Sequence, residues 1–79
     1  MNFVSTYNLW QEVFVIWVDP RIAQWSYYKG KISNIIIVAS ETISENYIVN
    51  NDTILRDKED IFLSIEEAEQ ECEKRNKIN

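Results

Sequence analysis

Lys29-Gly30-Lys31-Ile32-Ser33-Asn34-Ile35-Ile36-Ile37-Val38-Ala39 decides the fold of this chain. It holds the only glycine, followed by the longest β-branched run in the sequence. A run so rich in Ile and Val, entered through a turn-forming residue, predicts a buried central strand. The aromatic, β-prone residues 22–28 lie just before it. A lone glycine between two strand-like runs predicts a bulge or bend, where one long strand curls from one sheet into another; an ordinary hairpin turn is the alternative.

Working outward, residues 9–18 (Leu-Trp-Gln-Glu-Val-Phe-Val-Ile-Trp-Val) read as the first strand. From Val13 onward both its faces are apolar, so both require a cover: a sheet on one side, and a sheet, helix or partner chain on the other. Asp19-Pro20-Arg21 ends it, because proline lacks a ladder donor and fixes its own φ. Beyond the central strand, residues 40–46 read as a polar connection. Tyr47-Ile48-Val49 is a short strand, Asn50-Asn51-Asp52 a tight turn and Thr53-Ile54-Leu55-Arg56 a further strand. Residues 57–60 form an acidic turn, and Ile61-Phe62-Leu63 returns to the core. Ser64-Ile65-Glu66-Glu67 is a capping box opening a helix over residues 64–76. That helix docks through a thin stripe of Ile65, Ala68 and Cys72 and leaves an acidic face in water. Residues 1–8 form an arm able to lay an aromatic on the sheet.

The predicted fold is therefore mainly β with one C-terminal α-helix: a small, strongly bent antiparallel sheet or barrel of about five strands. All 79 residues form one domain, with the barrel over residues 9–63. The valine-rich first strand, the Lys29–Ile32 step, Tyr47-Ile48-Val49 and the Asp60–Glu69 helix entry together resemble a group of short bacterial and phage proteins. These have SH3-like barrels and a C-terminal helix. The resemblance is architectural: it implies an SH3-like small barrel and carries no catalytic or binding residue with it.

Composition narrows the function. There is no histidine, the commonest general base and metal ligand. The single cysteine, Cys72, excludes an internal disulfide or a cysteine zinc cluster, and fits a reducing, cytoplasmic setting. Glutamates 69, 71 and 73 around it work against a reactive thiolate. No phosphate-binding glycine loop or calcium-loop spacing occurs, so no enzyme activity, cofactor or metal is expected. No opening segment reads as a signal peptide, and no apolar run approaches the ~20 residues that cross a bilayer.

The net charge is −5, concentrated in residues 57–79, which carry eight acids against four bases. Such a field repels nucleic acid. The remaining signal is an aromatic excess: three Trp, four Tyr and three Phe in a small domain. Trp and Tyr anchor protein interfaces. The expected function is a non-enzymatic, acidic protein-binding module using Trp10, Trp17, Trp25, Tyr27 and Tyr28, with a protein partner or a second copy of the chain. One form of it is a phage-type inhibitor of a host nucleic-acid-handling protein, with Glu66, Glu67, Glu69 and Glu73 imitating phosphates. The competing expectation is a single-stranded nucleic-acid-binding barrel that stacks bases on Trp25, Tyr27 and Tyr28 and meets phosphates with Lys29 and Lys31.

Overall fold

The chain's apolar pattern resolves into five strands and one helix in a computed structural model that describes residues 5–77. Phe3 and Val4 of the expected arm lie outside them. The strands are β1 (Glu12–Asp19), β2 (Gln24–Ala39), β3 (Ile43–Val49), β4 (Arg56–Asp57) and β5 (Ile61–Phe62); α1 spans Ile65–Lys77. A single 3-10 turn, Lys58–Asp60, joins β4 to β5. All strand pairs are antiparallel, in the order β4-β3-β2-β1-β5. The sheet curls into a half-barrel.

β2 is the spine. Its first half pairs with β1, from Lys31 opposite Glu12 to Gln24 opposite Asp19, and its second half pairs with β3, from Ile32 opposite Val49 to Ala39 opposite Ile43. The expected curl from one sheet to the next therefore occurs, but the register slips between Ile32 and Asn34 rather than at the glycine. The Asn50-Asn51 turn mends that slip. Asn50 N–H donates to the Lys31 carbonyl at 2.9 Å, and the Lys31 N–H donates to Asn50 Oδ1 at 3.1 Å. Asn51 N–H donates to Ser33 Oγ, which itself donates to the Ile48 carbonyl. Both asparagines adopt left-handed φ, 58° and 56°, which Asn tolerates better than most residues. Gly30 serves close approach. A Cβ there would lie 2.5 Å from Val49 Cγ1 and 2.8 Å from Asn50 Nδ2.

The two apolar faces of β1 receive different covers. Val13 and Val15 face the inside of the curl with Ile32, Tyr47, Val49 and Ile61, against which Tyr28 and Ile35 also pack. Phe14 and Ile16 face α1, whose Ala68 and Cys72 are buried against them. Ser64 Oγ accepts the Glu67 N–H at 3.2 Å, which supplies the Ser64 half of the expected capping box. Ile65, expected on the docking stripe, is 39% exposed, so the helix rests on Ala68 and Cys72.

Several boundaries move. β1 begins at Glu12 because Trp10 adopts φ 65°, which no strand continues. β3 begins at Ile43, because the polar Ser44-Glu45-Asn46 pairs with β2 through its backbone. Of the expected strand Thr53–Arg56 only Arg56 pairs, joined by Asp57 from the expected acidic turn; Ile54 and Leu55 stand about half exposed beside them. Leu63 is also exposed, leaving Ile61 to return to the core.

Candidate functional site

Aromatic residues that look equivalent in the sequence are treated very differently by the fold. Tyr27 lies beneath α1, where its hydroxyl donates to Glu69 Oε1 at 2.7 Å, and this bond raises its pKa. Trp25 lies beneath the same helix with the Arg75 guanidinium 4.5 Å above its ring. Asn76 clasps the Trp25 backbone from both sides: its Oδ1 accepts the Trp25 N–H at 2.8 Å, and its Nδ2 donates to the Trp25 carbonyl at 3.2 Å. Arg75 is fixed in turn by Glu71 and Asp60, at 2.8 and 2.9 Å.

Trp17 and Tyr28 meet edge to face, with ring centroids 6.2 Å apart. Tyr28 packs against the inner core with Arg56 above its ring, and burial raises its hydroxyl pKa. The Tyr28 hydroxyl and Arg56 Nε are both buried with no hydrogen-bond partner among the described residues. Lys29 and Lys31 are exposed; Lys29 reaches Glu12 at 3.4 Å.

Trp10 stands apart. It is 63% exposed, next to Leu9 at 53%. Its N–H donates to the Ile32 carbonyl at 2.7 Å, while the Ile32 N–H donates to the Gln11 carbonyl at 3.0 Å. Two residues thus oppose one, after a turn in which the Gln11 N–H donates to the Asn8 carbonyl. This is a β-bulge whose first position, in left-handed conformation, is ordinarily glycine. A tryptophan there costs about 1–2 kcal/mol of backbone strain. The register sets Trp25 opposite Val18. Trp10 precedes β1 and Val18 lies near its other end, so Trp10 and Trp25 sit at opposite ends of that strand. The fold does not gather the tryptophans into one patch.

The four candidate glutamates all lie exposed on α1. Glu69 holds Tyr27 and Glu73 pairs with Lys77 at 3.2 Å, whereas Glu66 and Glu67 carry no ion pair among the described residues. Cys72 is buried, and burial, reinforced by Glu71 and Glu69, pushes its thiol pKa up. No group of His, Cys, Asp or Glu among the described residues could hold a metal ion. No helix among them is long and apolar enough to cross a membrane.

Comparison with family models, curated proteins and solved structures finds no match. The site therefore rests on geometry alone.

Three features escape the sequence reading. Leu9 was one more apolar strand residue there, and only its exposure marks it. Asn76 and Arg75, polar residues at the end of a charged helix, hold Trp25 in place. Glu45, read as part of a loop, is a clasp for the arm. Its side chain is only 9% exposed, and it accepts from Thr6 N–H at 2.7 Å, Thr6 Oγ1 at 3.0 Å and Tyr47 OH at 2.7 Å. These bonds, the Thr6 N–H first among them, hold its carboxyl at about 2. Tyr7 completes the clasp: its hydroxyl donates to the Ile61 carbonyl at 2.8 Å, and its ring meets Tyr47 edge-on at 5.3 Å.

Proposed function

We propose that this chain is a small, non-enzymatic, acidic protein-binding module whose contact surface is anchored by Leu9 and Trp10. The observation that carries this reading is the state of Trp10. A large aromatic occupies a position where the backbone favours glycine, and it is exposed. Strain retained at an exposed hot-spot residue is the pattern expected of a binding surface.

The scaffold supports the SH3-like resemblance. β2 is shared between the two halves of the sheet, and a 3-10 turn links β4 to β5. In this reading α1 supplies an electrostatic flank. Glu66 and Glu67 at its first turn, with Glu69 and Glu73 further along, suit a basic partner such as the nucleic-acid channel of a host enzyme, the phage-type inhibitor form of the proposal. The base-stacking alternative loses support, because Trp25 and Tyr27 are engaged beneath the helix and Tyr28 in the inner core.

The test is capture from bacterial lysate on immobilised wild-type protein and on Trp10→Gly, a substitution the bulge accommodates. A protein retained by the wild type and lost with Trp10→Gly is expected. Identical capture by both would overturn the assignment. Neutralising Glu66, Glu67, Glu69 and Glu73 to Gln should weaken the same capture and flatten its salt dependence.

A further inference from the structure

The β1-side edge of β2 is paired only as far as Ile32, where it meets Trp10 and Gln11. Residues 34–39 continue as strand, paired with β3 on their other edge. Among the described residues nothing pairs with their β1-side backbone. This open edge reads Asn-Ile-Ile-Ile-Val-Ala. It contains no charge, proline or glycine, the devices by which edge strands are ordinarily kept from pairing with other chains. Ile37, Val38 and Ile43 around it are 37%, 49% and 47% exposed.

We infer that the edge is covered by a second copy of this chain, β2 pairing with β2 antiparallel across a twofold axis. The occupant follows from the charge pattern and the pleat. In an antiparallel pair related by a twofold normal to the sheet, side chains that share a face lie opposite one another. The pairing is therefore centred on a residue. Centring it on Ile37 sets Ile35 against Ala39 and Ile36 against Val38. Residues 35–39 of a molecule of net charge −5 thus meet their copies with no charge between them, Glu41 lying beyond the end of the paired segment. A twofold contact of this kind uses one self-complementary patch on both chains and closes after two. The seam also ends where the binding surface begins. Trp10 is bonded to Ile32 on the same edge, so residues 40–42 of the second copy arrive beside the exposed Leu9 and Trp10. The inference goes beyond the protein-binding reading: the second copy covers the strand edge that adjoins Leu9 and Trp10 and leaves that surface to its own partner.

Sedimentation equilibrium of the full chain tests it. The wild type should run at twice the 9.4 kDa chain mass, and Val38→Lys at the single mass with an unchanged circular dichroism spectrum. Two lysines would then sit in the seam. Hydrogen exchange of the wild type supplies a check that needs no variant. Amides in residues 34–39 should exchange at least about tenfold more slowly at concentrations where the dimer forms than on dilution. A wild type of single mass at every concentration, or a Val38→Lys protein still at twice the mass, overturns the second copy. A single-mass wild type whose lysate capture still depends on Trp10 overturns the dimer and leaves the protein-binding reading intact. Single mass together with Trp10-independent capture overturns both.

Discussion

Replacing Glu45 by Gln should loosen the arm from the half-barrel and erase part of the protein's acid sensitivity. The carboxylate accepts three hydrogen bonds from Thr6 and Tyr47, and Lys58 Nζ lies 3.4 Å away. Its pKa is lowered from an ordinary 4.5 to about 2. A carboxyl held below its unfolded value binds fewer protons when folded. Its contribution is therefore present in full above pH 4.5 and is lost as the pH falls toward 2. A shift of this size converts to roughly 3 kcal/mol at 1.36 kcal/mol per unit. Glutamine retains part of this hydrogen bonding, so a loss of about 1–2 kcal/mol is expected. Glutamine keeps one acceptor but loses the charge, and it turns an NH2 toward donors. Urea unfolding of wild type and Glu45→Gln at pH 7 should therefore differ by about 1–2 kcal/mol, and the gap should close as the pH is lowered from 4.5 toward 2. Equal stability at pH 7, or a gap that persists at the acid end, would refute the clasp.

Three further outcomes follow from the packing. Gly30→Ala should cost about 1–3 kcal/mol in urea unfolding, because the new methyl meets Val49, which is fully buried and has nowhere to retreat. Asn76→Ala leaves the Trp25 backbone groups without their side-chain partners, so it should cost about 1–2 kcal/mol and shift tryptophan emission to the red as the helix end lifts. Cys72 should react with a thiol reagent far more slowly in the native protein than in urea, and raising the pH from 7 to about 9 should accelerate the native reaction only weakly, since burial holds the thiol up. Rapid native modification would contradict the docked helix.

Much of the fold was legible because the decisive signals are local. The β-branched run after Gly30 announces a spine, the two apolar faces of β1 demand two covers, and the Ser64 capping box starts a helix. The errors share a cause. Residues 44–46 are polar and look like a loop, but a hairpin needs only their backbone, and Glu45 uses its charge inward on Thr6 and Tyr47. Thr53-Ile54-Leu55 has strand composition, yet the Asn50-Asn51 turn is spent on the bulge at Ser33, and pairing resumes only at Arg56. The site was harder to read for the same reason. Whether a tryptophan is core or contact depends on what crosses over it. Trp25 is covered by Arg75 and Asn76 from the far end of the helix, fifty residues away in sequence, whereas among the described residues nothing of that kind reaches Trp10. Its left-handed backbone is a property of the bulge opposite Ile32, and no propensity scale assigns that conformation to Trp.

The most direct test of the account is the stability of Trp10→Gly. If Trp10 is held in a glycine conformation for the sake of its exposed ring, removing it relieves about 1–2 kcal/mol of strain, against which glycine returns about 0.5–1 kcal/mol of unfolded-chain freedom. Urea unfolding should show the variant more stable than the wild type by about 0.5–1 kcal/mol, with partner capture lost. A variant that is less stable than the wild type would mean that Trp10 serves the fold, and would contradict its assignment as the contact residue.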